Sequence, residues 1–190
     1  MNSHGWYLVL VGAFALERLA ELVVTTRNAR WSFARGGVET GREHYPVMVA
    51  MHAAFLVAAP VEVIVADRPF LPWLGWPMLA LAAASQALRW WCIASLGHHW
   101  NARVIVVPGA PLVRRGPYRW LRHPNYVAVV TELAVLPLVH TAWLTALVFS
   151  AANALVLRTR IRVENAALAS AAASSPASPS PSPSASRDAV

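Results

Sequence analysis

From Gly116 to Tyr126 the chain reads GPYRWLRHPNY, which gathers Arg119, Arg122, His123 and two tyrosines into one short run between apolar stretches. Ionisable groups at or inside a bilayer boundary are costly, so such a cluster marks a ligand, ion or substrate site more often than packing. A second set, Arg158, Arg160, Arg162 and Glu164, follows the next apolar stretch. The two sets meet if the chain between them folds back on itself. His123 precedes Pro124, a pairing that disfavours helix at the histidine and suits a helix starting with Pro124, Asn125 and Tyr126. Backbone donors at such a start favour an anionic ligand group. Spacing alone fits equally well a histidine and a tyrosine capping a membrane helix at the interface, where aromatic side chains are common.

Other charged residues carry two readings each. Arg160 and Glu164 are four residues apart, so on a helix they share a face, and by spacing alone the simpler reading is an ion pair. Glu132 stands about two turns into an apolar span, where a lone carboxylate is costly and needs a partner, with Arg89 the candidate. Glu17 and Glu21 share a helix face beside Arg18, which favours a structural ion pair over a polar pocket. His52 and Glu62 receive no role. Cys92 is the single cysteine, which excludes a disulfide within the chain and a cysteine-based zinc site. Proline and glycine interrupt regular pairing around Gly109 to Val113, leaving backbone groups there for a ligand.

The elements that must position these residues are membrane helices. Of 190 residues, 57% are hydrophobic and 13% charged, and the mean hydropathy is +0.44, far from the roughly one-quarter charged composition of soluble domains. The expected fold is an all-α integral membrane protein with about five transmembrane helices, near residues 6–24, 45–66, 73–96, 126–140 and 142–157. The last two form a tight hairpin that returns Arg158 to the membrane face of Tyr126, with arms short or tilted to suit the bilayer. Glu17, Arg18 and Glu21 argue against a cleaved signal peptide at the start. A membrane domain over 1–168 precedes a Ser/Pro/Ala-rich tail over 169–190, whose composition cannot bury a core.

All 16 basic residues are arginine, a bias that fits a GC-rich bacterial coding sequence, and the net charge is +7. The arginines lie in short loops between spans and not on a soluble basic face, so nucleic acid is not an expected partner. Four fall between the first two spans, five between Arg103 and Arg122 and three between Arg158 and Arg162, while Arg68 stands alone on the other side. The positive-inside rule then sets the N-terminus outside and the clustered segments in the cytoplasm.

The pattern LV-x-x-GPYR-x-x-RHP-x-Y, an apolar hairpin, then R-I-x-x-E-x-x-x-L resembles the isoprenylcysteine carboxyl methyltransferase family over about Leu96 to Leu168. The same region is similar to membrane phospholipid methyltransferases. The N-terminal half, with ERLAEL, RNAR, GG-x-E-x-G and HYPVMV, looks like a bacterial branch acting on phenolic lipids and alkylpyrones. The resemblance implies S-adenosylmethionine as cofactor, with Leu112, Val113, Tyr118, His123, Pro124, Asn125, Tyr126 and Glu164 lining its site. It implies that Arg160 faces the acceptor. The family's frequent Glu-Glu pair is replaced by Glu164-Asn165, which leaves the second carboxylate's role open.

The expected activity is O-methylation of a lipophilic small-molecule acceptor reached through membrane lipid, a phenolic lipid or alkylpyrone hydroxyl, with Glu132 as a catalytic base. Such an acceptor pairs the enzyme with a type III polyketide synthase. Carboxyl methylation of an isoprenylcysteine-like substrate and a non-catalytic scaffold or transporter are the alternatives. A phosphatidylethanolamine-type N-methyltransferase ranks below them, because Arg160 would repel a protonated amine.

Overall fold

The computed structural model describes residues 3–110 and 113–173. Among them are five α-helices: α1 (Ser3–Phe33), α2 (His44–Val65), α3 (Pro72–Leu96), α4 (Pro124–Leu138) and α5 (Trp143–Ala173). Two short strands, β1 (Val38–Thr40) and β2 (Val104–Val106), pair antiparallel with Glu39 opposite Ile105. That pairing ties the loop after α1 to the loop after α3 and builds a cap over one end of the bundle. Leu112 and the Ser/Pro/Ala-rich stretch from 174 onward lie outside the described residues.

Three helical segments, His44–Val65, Pro72–His99 and Trp143–Ser170, are long and apolar enough to cross a membrane. α4 is a shorter apolar helix of 15 residues. α1 is long but carries Glu17, Arg18 and Glu21 in its middle. Exposed Val57, Val61, Leu147 and Leu155 present aliphatic surface outward, the pattern of helices facing lipid. Exposed Trp73 and Trp76 start α3, and Trp90 and Trp91 lie near its end. At helical rise Trp73 and Trp90 are separated by about 26 Å, close to a hydrocarbon thickness of ~30 Å. Both positions suit interfacial tryptophan.

The expected hairpin forms, with unequal arms. α4 ends near Pro137, Thr141 takes the left-handed region at φ 55°, and α5 starts at Trp143. α5 then runs 31 residues, well past the expected span end at 157, because Arg158 to Glu164 leave the apolar zone without breaking helical periodicity. α1 likewise continues to Phe33. Around the shared axis, Phe14, Phe55, Ala82, Leu133 and Leu136 make one buried cluster. Tyr7, Val11, Val63 and Val139 make another, with the Tyr7 hydroxyl donating to the Leu136 carbonyl at 3.2 Å.

Glu62, unassigned from sequence, caps a helix to which it does not belong. Its carboxylate accepts from the Leu144 amide at 3.3 Å and the Thr145 amide at 2.6 Å, the start of α5, and pairs with Arg68 at 2.9 Å. First-turn amides have no partner within their own helix, so a carboxylate there satisfies donors and meets the positive end of the helix dipole. Glu62→Ala should cost about 1–2 kcal/mol, lowering the unfolding temperature in detergent by about 2–8 °C with ligand affinity retained. An unchanged unfolding temperature would refute the capping role.

Candidate active site

At the end of the bundle covered by the strand pair, the start of α4 meets the outer part of α5. His123 is non-helical, at φ −131° and ψ 60°, as its place before Pro124 requires, and Pro124 opens the helix. One turn in, Tyr126 points at α5, where Arg160 and Glu164 share its hydroxyl. Arg160 Nε donates to Tyr126 Oη at 2.8 Å, and Tyr126 Oη donates in turn to Glu164 Oε2. The His123 ring stacks on Tyr126 at 5.2 Å, with its Nδ1 3.8 Å from Glu164 Oε1. Among the described residues no direct ion pair joins Arg160 to Glu164; the tyrosine hydroxyl stands between them. The loop leading in is anchored to the end of α3 by Arg115 Nε donating to the Ser95 carbonyl at 2.7 Å.

A cavity of about 400 Å³ opens from this cluster into the helices. Asn125, Tyr126 and Arg160 line its outer end, and Leu19, Leu22, Val49 and Leu56 give it apolar walls. The Asn125 Oδ1 is buried without a hydrogen-bond partner. Among the described residues, Arg160 Nη1 donates to the soft sulfur of Met48, at 3.5 Å. A cation with few strong partners thus faces an apolar chamber, an arrangement that orients and stabilises an oxygen anion.

Deep in the bundle lies a four-membered charge network. Arg18 pairs with Glu21 at 2.5 Å and also with Glu132. Arg89 pairs with Glu132 at 2.8 Å and approaches Glu21 at 3.4 Å. The partners expected for Glu132 and for Glu21 are thus both present, joined in one cluster linking α1, α3 and α4. Glu17 stands apart and accepts from the Trp90 indole.

The expected site residues divide by position. His123, Asn125, Tyr126, Arg160 and Glu164 come together, with Pro124 buried beneath them. Tyr118 turns away to hydrogen-bond Cys92 on α3, and burial pushes its phenol well above the ordinary tyrosine range. Val113 is half-buried and is not among the residues lining the cavity. Glu132, expected as a catalytic base, is 1% exposed, engaged by two guanidiniums and shut off from the cavity. Sequence reasoning missed Met48 and Asn153 as cavity residues. Asn153 had a readable signal, since it is a carboxamide inside a long apolar run.

The sequence profile described as the isoprenylcysteine carboxyl methyltransferase (ICMT) family matches residues 78–170. That range contains the whole Tyr126 cluster together with Arg89 and Glu132. An uncharacterized protein of Bacillus subtilis, YpbQ, is 37% identical over 163 residues, covering 85% of this chain and 96% of that protein. An uncharacterized protein of Haemophilus influenzae is 27% identical over 154 residues, covering 80% of this chain and 88% of its own. Through the matched profile, and with a relative aligned along nearly its full length, the chain belongs to the isoprenylcysteine carboxyl methyltransferase family, as an integral membrane protein of mostly helical fold.

Proposed function

We propose that this membrane methyltransferase uses S-adenosylmethionine to methylate a hydroxyl oxygen of a lipophilic acceptor, a phenolic lipid or alkylpyrone. The observation that carries the reading is the Tyr126 hydroxyl held between Arg160 and Glu164 at the mouth of an apolar cavity. Carboxylate and carboxamide acceptors on one side suit the ammonium and ribose hydroxyls of the cofactor, and the start of α4 suits its carboxylate. Glu164, His123 and Asn125 would hold it, the unpartnered Asn125 Oδ1 being a vacant acceptor of the right kind. When bound, S-adenosylmethionine supplies an electrophilic methyl group on a sulfonium.

The protein's task is then alignment, since an in-line displacement between held partners gains several kcal/mol from orientation. Arg160 draws the acceptor oxygen to the cavity mouth and favours its ionised form by proximity of charge. With that methyl group supplied, Arg160 would hold the acceptor oxygen as nucleophile and the hydroxyl proton would leave to water at the mouth. Glu132 has no part in that step on this reading, because two arginines separate it from the cavity. The arginine-rich end faces the cytoplasm, where the soluble cofactor is found, with the N-terminus outside. The acceptor arrives through membrane lipid, and a type III polyketide synthase is the class of enzyme that would supply it.

Purified protein in detergent should bind S-adenosylmethionine, and His123→Ala and Glu164→Ala should each weaken that affinity by about ten- to a hundredfold. Isothermal titration reads the effect directly. Unchanged affinity in both variants would overturn the cofactor assignment.

A further inference from the structure

The segment from Arg114 to Arg122, which leads into the Tyr126 cluster, carries charge that the protein itself does not balance. From Arg68 to Thr131 the sequence holds no aspartate or glutamate. Arg114, Arg119 and Arg122 are exposed, and among the described residues none of them pairs with a carboxylate. The Arg119 guanidinium lies over the Trp120 ring at 5.6 Å, and Arg115 reaches back to the Ser95 carbonyl.

The same segment exposes apolar bulk, with Trp120 69% and Leu121 45% accessible. Its depth explains why. Gly116, at φ 58°, sits so close to α3 that a side chain there would collide with Ser95. The Trp120 ring meets the Trp91 ring edge-on at 6.0 Å. Trp91 belongs to a helical segment long and apolar enough to cross a membrane, and lies about 27 Å from Trp73 at helical rise. That is close to one hydrocarbon thickness. The segment is therefore fixed at the bilayer boundary, where tryptophan is favoured. Exposed Val127 and Val130 of α4 continue its apolar surface.

We infer that Arg114, Arg119 and Arg122, with Trp120 and Leu121, form a binding site for an anionic phospholipid. The guanidiniums take the headgroup phosphate, which their planar fork matches, and the acyl chains lie along Trp91, Trp120 and Leu121. The lack of any nearby acid in the sequence favours a net anionic headgroup over a zwitterionic one, whose ammonium finds no carboxylate there. A water-soluble phosphate would leave Trp120 and Leu121 uncovered, so the occupant is the lipid. Because Arg122 directly precedes His123, the bound lipid tethers the start of α4 to the membrane surface.

The test is native mass spectrometry of the full chain, released from detergent containing equal amounts of dioleoyl phosphatidylglycerol and dioleoyl phosphatidylcholine. Wild type should retain phosphatidylglycerol in preference by about ten- to a hundredfold. Arg114→Gln, Arg119→Gln and Arg122→Gln combined should bring that ratio near unity. Arg27→Gln, Arg30→Gln and Arg35→Gln combined, an equal loss of exposed charge at and beyond the end of α1, should leave it unchanged. Glycerophosphoglycerol, the same headgroup without chains, should not displace the lipid. Where the first triple variant does not fold, Arg119→Gln and Arg122→Gln singly should each lower the ratio about three- to fivefold. Equal retention of the two lipids by wild type would overturn the inference. So would a preference untouched in the loop variants, an equal loss in both triple variants, or displacement by the free headgroup.

Discussion

Arg160→Ala should reduce methyl transfer by about a hundred- to a thousandfold while S-adenosylmethionine affinity stays within a few-fold of wild type. The asymmetry follows from geometry. Glu164, His123 and Asn125 remain in place when the guanidinium is removed, and Tyr126 keeps its bond to Glu164. What disappears is the cation at the mouth of the cavity, where the proposed reaction places the acceptor oxygen. Arg160→Lys should restore only part of the rate, since an ammonium is a point charge without the guanidinium's planar fork. Without Arg160 the acceptor also ionises at higher pH, so the rising limb of the rate profile should move upward. Single-turnover rates against pH, alongside titration of the cofactor, measure both effects. An equal fall in cofactor affinity and turnover would assign Arg160 to the cofactor instead.

Most of this site is legible in the sequence, because it is built from residues whose cost is local. His123-Pro124 dictates a break and a helix start in any context, and both appear. The hairpin returning α5 to α4 followed from an apolar stretch too long for one span. The details turned on side-chain direction, which spacing does not encode. Arg160 and Glu164 are at pairing distance on an ideal helix, yet Tyr126 from α4 lies between them. Tyr118, eight residues before Tyr126, faces the end of α3, because the intervening turn and the break at His123 reset the helix face. Glu132 needed a partner and Arg89 was the evident one, but Arg18 and Glu21 reach the same point from far away in sequence.

That long reach explains how the less typical N-terminal half joins the half matched by the family profile. α1 supplies Arg18 and Glu21 to the network and Leu19 and Leu22 to the cavity wall. Thr25 accepts from the Ala102 amide at 3.3 Å, and Asn28 donates to the Trp100 carbonyl at 2.7 Å, fixing the loop after α3. Residues outside the matched range thus share the chamber wall with Arg89, Val129 and Asn153 from inside it, while the Tyr126 cluster lies wholly within the match.

Arg89→Met should be the most damaging single change to stability, costing about 3–5 kcal/mol. Arg89 is almost fully buried and pairs with Glu132, itself 1% exposed. Removing the cation leaves two carboxylates facing one remaining arginine in an apolar interior, where an uncompensated charge is expensive. The hydrophobic isostere gains packing but cannot offset that imbalance. A double variant, Arg89→Met with Glu132→Leu, removes one charge of each sign and leaves the Arg18–Glu21 pair at 2.5 Å. It should recover most of the lost stability, since replacing a whole buried ion pair by apolar groups is often near neutral. Unfolding in detergent, followed by tryptophan fluorescence across the double-mutant cycle, measures the coupling. If the double variant is as unstable as the sum of the two single variants, Arg89 and Glu132 act independently, and the network is not what holds α1, α3 and α4 together.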